Sequence, residues 1–157
     1  VEHYVEQVGR KVAVISEELD GTPVTLIGWS LGGVIARETA RLHEPYVREV
    51  ITLGTPIIGG PKYTAVGRRF AESASIDLDE FEKEVHSRNS IGIRQPVTSI
   101  YSKLDGVVGW RASIDVYNEQ ARNIEVYSSH FGIGANGRVW RLIADILGNR
   151  ETGVATA

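Results

Sequence analysis

The spacing of apolar residues predicts an amphipathic helix at the start of the chain. Apolar side chains recur there every three or four positions and fall on one helical stripe: Val1, Tyr4, Val5, Val8, Val12, Ile15 and Leu19. The turn-forming run Asp-Gly-Thr-Pro at residues 20–23 follows the stripe and ends the helix.

Short apolar runs alternate with helical patterns through the rest of the chain. Four runs have the length and composition of β-strands: residues 24–27, 47–53, 96–101 and 124–127. Two more helices carry apolar residues at helical spacing: the first has Val34, Ile35, Thr39 and Leu42 and ends near His43-Glu44-Pro45, and a closing helix has Val139, Leu142, Ile143, Ile146 and Leu147. This alternation predicts the α/β class, with a mostly parallel sheet of about four strands flanked by helices. The first strand is apolar throughout, which is typical of a strand covered on both faces.

A single domain over residues 1–150 accommodates these elements, and residues 151–157 are predicted to form a flexible tail. Residues 62–95 are more polar and carry an uneven amphipathic stripe, so we interpret them as an insertion and a candidate lid. Within it, Asp77 and Glu80 have the spacing of a helix capping box.

The segment Gly28-Trp29-Ser30-Leu31-Gly32 has the Gly-x-Ser-x-Gly spacing of a nucleophile elbow, in which a serine occupies a sharp turn between a strand and a helix. Gly28 and Gly32 are expected to let the strand and the helix approach closely. The first amides of the helix, starting at Leu31, would point toward charge that develops on a substrate oxygen. The chemistry indicated is acyl transfer. The same letters also occur in ordinary strand-to-helix turns, but the apolar strand before Ser30 and the helical pattern after it favour the elbow.

A serine hydroxyl needs a base to take its proton and a third group to orient that base. In folds with this elbow the acid and then the histidine follow the serine, each on a loop after a later strand. Asp105 follows the strand at 96–101, and His130 follows the strand at 124–127. These two residues are the predicted partners of Ser30.

Other histidines and aspartates compete for the same roles. The remaining histidines do not follow a strand and are expected on the solvated surface: His3, His43 and His86. Asp77 and Asp79 belong to an acidic run that is better explained as a solvated helix face. Asp115 is the alternative acid.

Three segments together resemble the alpha/beta-hydrolase superfamily, and its bacterial lipase and esterase branch in particular: the elbow at residues 28–33, residues 101–110 around Asp105 and residues 129–136 around His130. The resemblance extends over residues 24–148. It implies hydrolysis of carboxylic esters through an acyl-enzyme on Ser30. His130 would act as base and then as acid, Asp105 would hold the imidazole, and the amide of Leu31 would donate to the oxyanion.

The sequence departs from the family in the number of its strands. Full members have about eight strands, several of them before the elbow, and a loop after one of those supplies a second oxyanion donor. This chain is therefore expected to resemble the C-terminal half of the fold, truncated at the N-terminal half of the sheet, and no second donor is identified. The unpaired edge of the elbow strand would invite association. The chain is then either a fragment of a longer protein or a homo-oligomer assembled through that edge, and the second is favoured.

Four apolar residues are candidate substrate contacts near the expected site: Trp29, Ile57, Val107 and Val108. They suit short or medium acyl chains, although a core position explains them equally well. The same three catalytic residues would serve an acyl-thioesterase or an acyltransferase. A catalytically impaired fragment that acts as an interaction module is the alternative from another class.

Composition narrows the range of partners. The chain has 157 residues, 42% of them hydrophobic, a formal net charge of −3 and no cysteine. The net charge is small and the charged residues are interspersed along the chain, which argues against nucleic acid or an anionic membrane as the main partner. The missing cysteines exclude disulfides and thiolate metal sites. We expect a small ester substrate, no cofactor, no metal and no stable membrane insertion. Without an apolar membrane span or a signal-peptide pattern, the expected location is cytoplasmic.

Overall fold

The computed structural model describes residues 1–151, with residues 68, 70 and 149–151 described by their backbone alone. The helices are α1 (Glu2–Glu18), α2 (Leu31–Leu42), α3 (Gly67–Ala74), α4 (Leu78–Asn89), α5 (His130–Ala135) and α6 (Gly137–Glu151). The strands are β1 (Val24–Trp29), β2 (Val47–Leu53), β3 (Val97–Tyr101) and β4 (Arg122–Glu125). The tail predicted for residues 151–157 lies outside the described residues, apart from Glu151 at the end of α6.

The four strands form one parallel sheet in the order β1-β2-β3-β4. The predicted fold class, a parallel sheet of four strands flanked by helices, is confirmed. Because all strands run the same way, their carboxyl ends lie at the same end of the sheet, where Trp29 lies beside Leu53 and Tyr101 beside Glu125. Ligands bind beyond the carboxyl ends of the strands in open α/β sheets.

The expectation that β1 is covered on both faces is wrong. Ile27 in this strand is 38% exposed. Among the described strands β1 pairs with β2 alone, so it lies at the edge of the sheet, where one flank and part of one face have no neighbour.

Apolar clusters lie on both faces of the sheet. One cluster joins β2 and β3 to α5 and α6: Ile51, Leu53, Ile100, Ile133, Val139, Ile143 and Ile146. The other joins β2 to α1 and α2: Val12, Ala36, Ala40, Val47 and Val50. Because β2 contributes to both clusters, the strand next to β1 is packed on both of its faces.

Helix α1 buries a narrower stripe than its apolar pattern predicts. Val5 and Val12 are buried, whereas Tyr4 and Leu19 are more than half exposed. The buried face includes Gly9, where an added Cβ would overlap the ring of His43. A close approach through a small residue therefore replaces part of the apolar contact that the sequence indicates.

Residues 62–95 fold into α3 and α4, which pack against the turn at residues 60–63. The half of the predicted capping box that Asp77 supplies to α4 is confirmed. The Asp77 carboxylate accepts hydrogen bonds from the amides of Asp79 at 2.8 Å and Glu80 at 3.2 Å. Lys62 binds both Asp79, at 2.6 Å, and Glu82, at 2.5 Å. These contacts dock α4 on the chain that follows β2. That the segment is a lid stays a prediction.

Candidate active site

Ser30 lies at a strained turn between β1 and α2. Its φ of 54° and ψ of −124° place a non-glycine residue in the left-handed region. The Ser30 amide donates to the carbonyl oxygen of Leu53 at 2.8 Å, which fixes the turn to the end of β2. An added Cβ at Gly28 would overlap the backbone of Gly32 and Gly33, so only glycine permits this approach of strand and helix.

The expectation that a small residue at position 32 is needed for the close approach of strand and helix is wrong. An added Cβ there would meet nothing within 4 Å, whereas one at Gly33 would overlap the side chain of Thr55. The two small residues that the elbow requires are therefore Gly28, facing the start of α2, and Gly33, facing the loop after β2. The five-residue motif does not show this, because the neighbour of Gly33 comes from a separate segment.

The structure brings Ser30, His130 and Asp105 together in series. His130 Nε2 lies 3.0 Å from Ser30 Oγ, and His130 Nδ1 lies 2.7 Å from Asp105 Oδ2. The side chains of His130 and Asp105 are 5% and 2% exposed. A carboxylate can only accept hydrogen bonds, so Nδ1 carries the imidazole proton and Nε2 is left to accept from the serine hydroxyl. This is the arrangement that a nucleophilic serine requires.

Asp105 is held by the loop that carries it. Its Oδ1 accepts hydrogen bonds from the amides of Val107 at 2.9 Å and Val108 at 2.8 Å, which leaves Oδ2 for His130. Gly54 lies against this pair. At its φ of 52°, an added Cβ would lie 2.9 Å from Asp105 Oδ2 and 3.3 Å from His130 Nδ1. No sequence motif marks Gly54 for this position, because its two neighbours come from later segments of the chain.

His130 opens the short helix α5 and is fixed from two sides. Ser129 caps that helix and accepts from the amide of Gly132 at 3.2 Å. Trp29 Nε1 donates to the carbonyl oxygen of His130 at 3.1 Å, and its ring centroid lies 5.6 Å from the imidazole centroid. Trp29 was predicted as a substrate contact, and that role stays a prediction. In the structure its contacts support the histidine, and Gly134 provides the space for its ring.

Leu31, the predicted oxyanion donor, is the first residue of α2. The first amides of a helix have no acceptor within the helix, so the N–H of Leu31 is available beside Ser30. The Leu31 side chain is 52% exposed and forms part of the surface at the turn.

Two predicted substrate contacts are buried instead. Ile57 is 2% exposed and Val108 is 1% exposed, so neither side chain offers surface to a ligand. The backbone explains this position, because the amide of Ile57 donates to the carbonyl oxygen of Ala112 at 2.8 Å and holds the loop inside the molecule. Val107 is half-buried.

The competing acid lies outside the site. Asp115 is buried and pairs with Arg37 Nη1 at 2.5 Å, and it also accepts from the amide of Tyr117 at 2.9 Å. It therefore anchors its own loop to α2 and does not orient His130. Asp79 is exposed and binds Lys62, in keeping with the solvated helix face expected of it.

Two of the other histidines have the expected exposure, since His3 and His86 are on the surface. The expectation for His43 is wrong. Its side chain is 21% exposed because its ring packs over Gly9 of α1.

Among the described residues, no group of three histidine, cysteine or acidic side chains is placed to hold a metal ion. Within residues 1–151 no helix combines the length and the apolar character that crossing a bilayer requires.

The sequence pattern that defines the alpha/beta hydrolase fold family matches residues 4–85. This match covers half of the chain, and the chain therefore belongs to that family. The resemblance inferred from the elbow and from the two later loops is confirmed.

Solved structures of lipases and related enzymes have the same fold. A lipase of Bacillus licheniformis in its mature form superposes with a TM-score of 0.70 at 16% identity, and the match covers 92% of this chain and 73% of that chain. A lipase-esterase related protein of Clostridium acetobutylicum gives a TM-score of 0.60 at 19% identity, covering 91% of this chain and 74% of that one. A monoacylglycerol lipase of Paleococcus ferrophilus gives 0.58 at 16% identity, with 92% and 74% covered. No curated protein sequence matches the chain. At these identities the similarity establishes the fold.

Proposed function

We propose that this protein is a serine hydrolase that cleaves carboxylic esters through an acyl-enzyme on Ser30. The observation that carries the proposal is the hydrogen-bonded series from Ser30 Oγ through the His130 imidazole to Asp105, at 3.0 and 2.7 Å, beside a strained serine backbone. Membership of the alpha/beta-hydrolase fold family and the likeness to lipase structures support it.

In the proposed reaction, Ser30 Oγ attacks the ester carbonyl carbon while His130 Nε2 takes the hydroxyl proton. The Asp105 carboxylate stabilises the resulting imidazolium, and the amide of Leu31 donates to the oxyanion. The tetrahedral intermediate collapses as Nε2–H gives its proton to the leaving alcohol oxygen. Water then attacks the acyl-enzyme and transfers a proton to Nε2. The second collapse returns that proton to Ser30 and releases the carboxylic acid.

We further propose short to medium acyl chains as substrates. A cavity of about 360 Å³ is lined by residues 109–112, which follow the loop that carries Asp105, and by Ile58 and Tyr63; Tyr63 and Trp110 give it aromatic walls and Arg111 adds a charged side chain. Exposed Leu31 at the turn adds apolar surface next to Ser30. The aromatic part of this wall has an extent that suits a chain of a few carbon atoms.

A fluorophosphonate probe tests the nucleophile directly. The unmodified chain should label covalently, whereas Ser30→Ala should not label at all and His130→Ala should label far more slowly. Ser90→Ala is the matched control, because Ser90 is exposed and its hydroxyl donates to the carbonyl oxygen of Ser87, away from the site. Equal labelling of all four proteins, or of none, would refute the proposal. The second result would favour a binding role instead.

Substrate comparison separates esterase from the related activities. We expect p-nitrophenyl butyrate and octanoate to be hydrolysed faster than the palmitate. Higher kcat/KM on acyl-thioesters would indicate a thioesterase. Ester products formed with an added alcohol in preference to free acid would indicate an acyltransferase.

A further inference from the structure

One buried hydroxyl links the two loops that carry Asp105 and His130. Ser102 follows β3 directly and is 1% exposed. Its Oγ accepts a hydrogen bond from the amide of Leu104 at 3.1 Å and another from the amide of Ser128 at 3.2 Å. We propose that Ser102 is a positioning residue that sets the geometry of the Asp105–His130 pair, an inference that rests on the proposed hydrolase function.

On the side of the acid, Ser102 shapes the turn that leads from β3 to Asp105. The amide of Asp105 donates to the carbonyl oxygen of Ser102 at 3.2 Å, while the amide of Leu104 donates to Oγ of the same serine. A serine that accepts from the second amide after it is a recurrent local turn. The backbone is thereby ordered up to Asp105, whose carboxylate is then fixed by the amides that follow it.

On the side of the histidine, Ser102 continues the pairing of β3 with β4 beyond the last backbone hydrogen bond. That bond runs from the amide of Val126 to the carbonyl oxygen of Tyr101 at 2.8 Å. Two residues later, the amide of Ser128 is bound by Ser102 Oγ instead of by backbone. Ser128 lies two residues before His130. The side chain therefore links the two loops just beyond the end of the paired strands.

Loss of this oxygen leaves two amides without their acceptor, and both belong to loops that must stay in contact. The hydrogen bond between His130 Nδ1 and Asp105 Oδ2, 2.7 Å long, depends on that contact. A longer bond orients the imidazole less well and stabilises the imidazolium less. Because Ser102 is buried and does not face a ligand, its loss should lower kcat and leave KM nearly unchanged.

Steady-state kinetics on a p-nitrophenyl ester test this inference with a graded set of variants. Ser102→Ala should lower kcat about tenfold, a part of the range attributed to general acid–base catalysis. Ser102→Thr keeps the hydroxyl and should retain most of the kcat. Ser102→Cys has nearly the volume of serine but a weaker hydrogen-bond acceptor, so its kcat should lie between those of the other two variants. It replaces Ser102→Ala if that variant does not fold. Ser90→Ala is again the control. A kcat unchanged in both Ser102→Ala and Ser102→Cys would overturn the inference.

A double-mutant cycle separates positioning from general support of the fold. If Ser102 acts through the Asp105–His130 pair, adding Ser102→Ala to Asp105→Ala should lower kcat by less than about twofold more. A further tenfold loss in that background would mean that Ser102 acts by another route, and would overturn the inference.

Proton NMR gives a readout that does not require ester turnover. The Nδ1 proton of His130 should appear at low field in the unmodified chain and should broaden or move upfield in Ser102→Ala. An unchanged resonance would overturn the positioning role. If the unmodified chain shows no turnover and no probe labelling, the proposed function fails, while this resonance still decides the role of Ser102.

Discussion

At the scale of single residues, the elbow depends on space that only glycine leaves. An added Cβ at Gly28 would overlap the backbone of Gly32 and Gly33, and backbone atoms cannot relieve the overlap by a change of rotamer as side-chain atoms can. The strained φ of Ser30 is maintained by this contact together with the bond from its amide to Leu53. The two glycines of the motif should therefore respond differently to substitution.

We expect Gly28→Ala to lower the free energy of unfolding by about 1–3 kcal/mol, the usual cost of overpacking, and to displace Ser30. Gly32→Ala is the matched control. A Cβ there meets open space, and alanine is favoured over glycine in a helix, so its stability should be equal or slightly higher. Thermal unfolding of the two variants measures the difference. Equal destabilisation would contradict the contact described for Gly28.

The two buried aspartates should separate catalysis from stability. Asp105→Asn should lower kcat by about 10³- to 10⁴-fold, because an amide favours the wrong imidazole tautomer, with little change in stability. Asp115→Asn should leave the kcat of folded protein unchanged but lower stability by about 3 kcal/mol, since it removes the charge partner of buried Arg37. Kinetics and chemical denaturation of both variants test this pairing. A large loss of kcat in Asp115→Asn and none in Asp105→Asn would contradict this assignment and make Asp115 the acid of the site.

Sequence reasoning selected Ser30, Asp105 and His130, which the structure brings together, because each has a local signal: a motif for the serine, and a place after a strand for the other two. It could not identify the supporting roles of Ser102 and Trp29. Ser102 binds Ser128 and Trp29 binds His130, partners 26 and 101 residues away along the chain. Contacts of that kind depend on the register of the strands and leave no local pattern.

At the scale of elements, patterns predicted the apolar parts well and the polar parts poorly. The limits of β2 agree with its apolar run, 47–53. Strand β4 lies at 122–125, two residues before the predicted run, because three of its four residues are polar and it lies at the edge of the sheet. Helix α3 has no apolar stripe that sequence reasoning recognised. Polar edge elements are ordered by neighbours rather than by their own burial.

The docking of α4 should depend on pH. Hydrogen bonds from Lys62 hold the pKa of Asp79 and that of Glu82 below their ordinary values. A lowered carboxyl pKa means that the folded state binds protons less readily than the unfolded chain. The stabilisation is therefore present above roughly pH 4, the ordinary range of these groups, and is lost as the pH falls through the lowered values.

Hydrogen exchange of the amides in residues 78–89 measures this effect. Protection should fall below roughly pH 4, after correction for the intrinsic exchange rate. Lys62→Met should reduce protection at neutral pH and remove most of the pH dependence. Protection that stays constant down to pH 2 in the unmodified chain would contradict the role given to Lys62.

At the scale of the whole molecule, the open edge of β1 is the feature that the described residues leave unpaired. The strand presents backbone N–H and C=O groups on its free side, and beside them lie Ile27, 38% exposed, and Trp29, 40% exposed. A strand edge without charge or proline is prone to pair with another chain. Two copies related by a twofold axis could pair their β1 strands and continue the sheet across both. Homo-oligomerisation through this edge therefore remains our prediction.

Light scattering at micromolar concentration tests the assembly, and one charged substitution locates it. The unmodified chain should have the mass of a dimer or larger, and Ile27→Lys should be a monomer, because a lysine beside the pairing strand brings two like charges close together at the twofold axis. Val14→Lys is the matched control, since Val14 is likewise exposed, at 48%, but belongs to α1 and not to the pairing strand, so this variant should still associate. A monomeric unmodified chain would refute the assembly. A dimer that persists in Ile27→Lys would contradict pairing through the free edge of β1, because the second copy would then have to bind another face of the molecule.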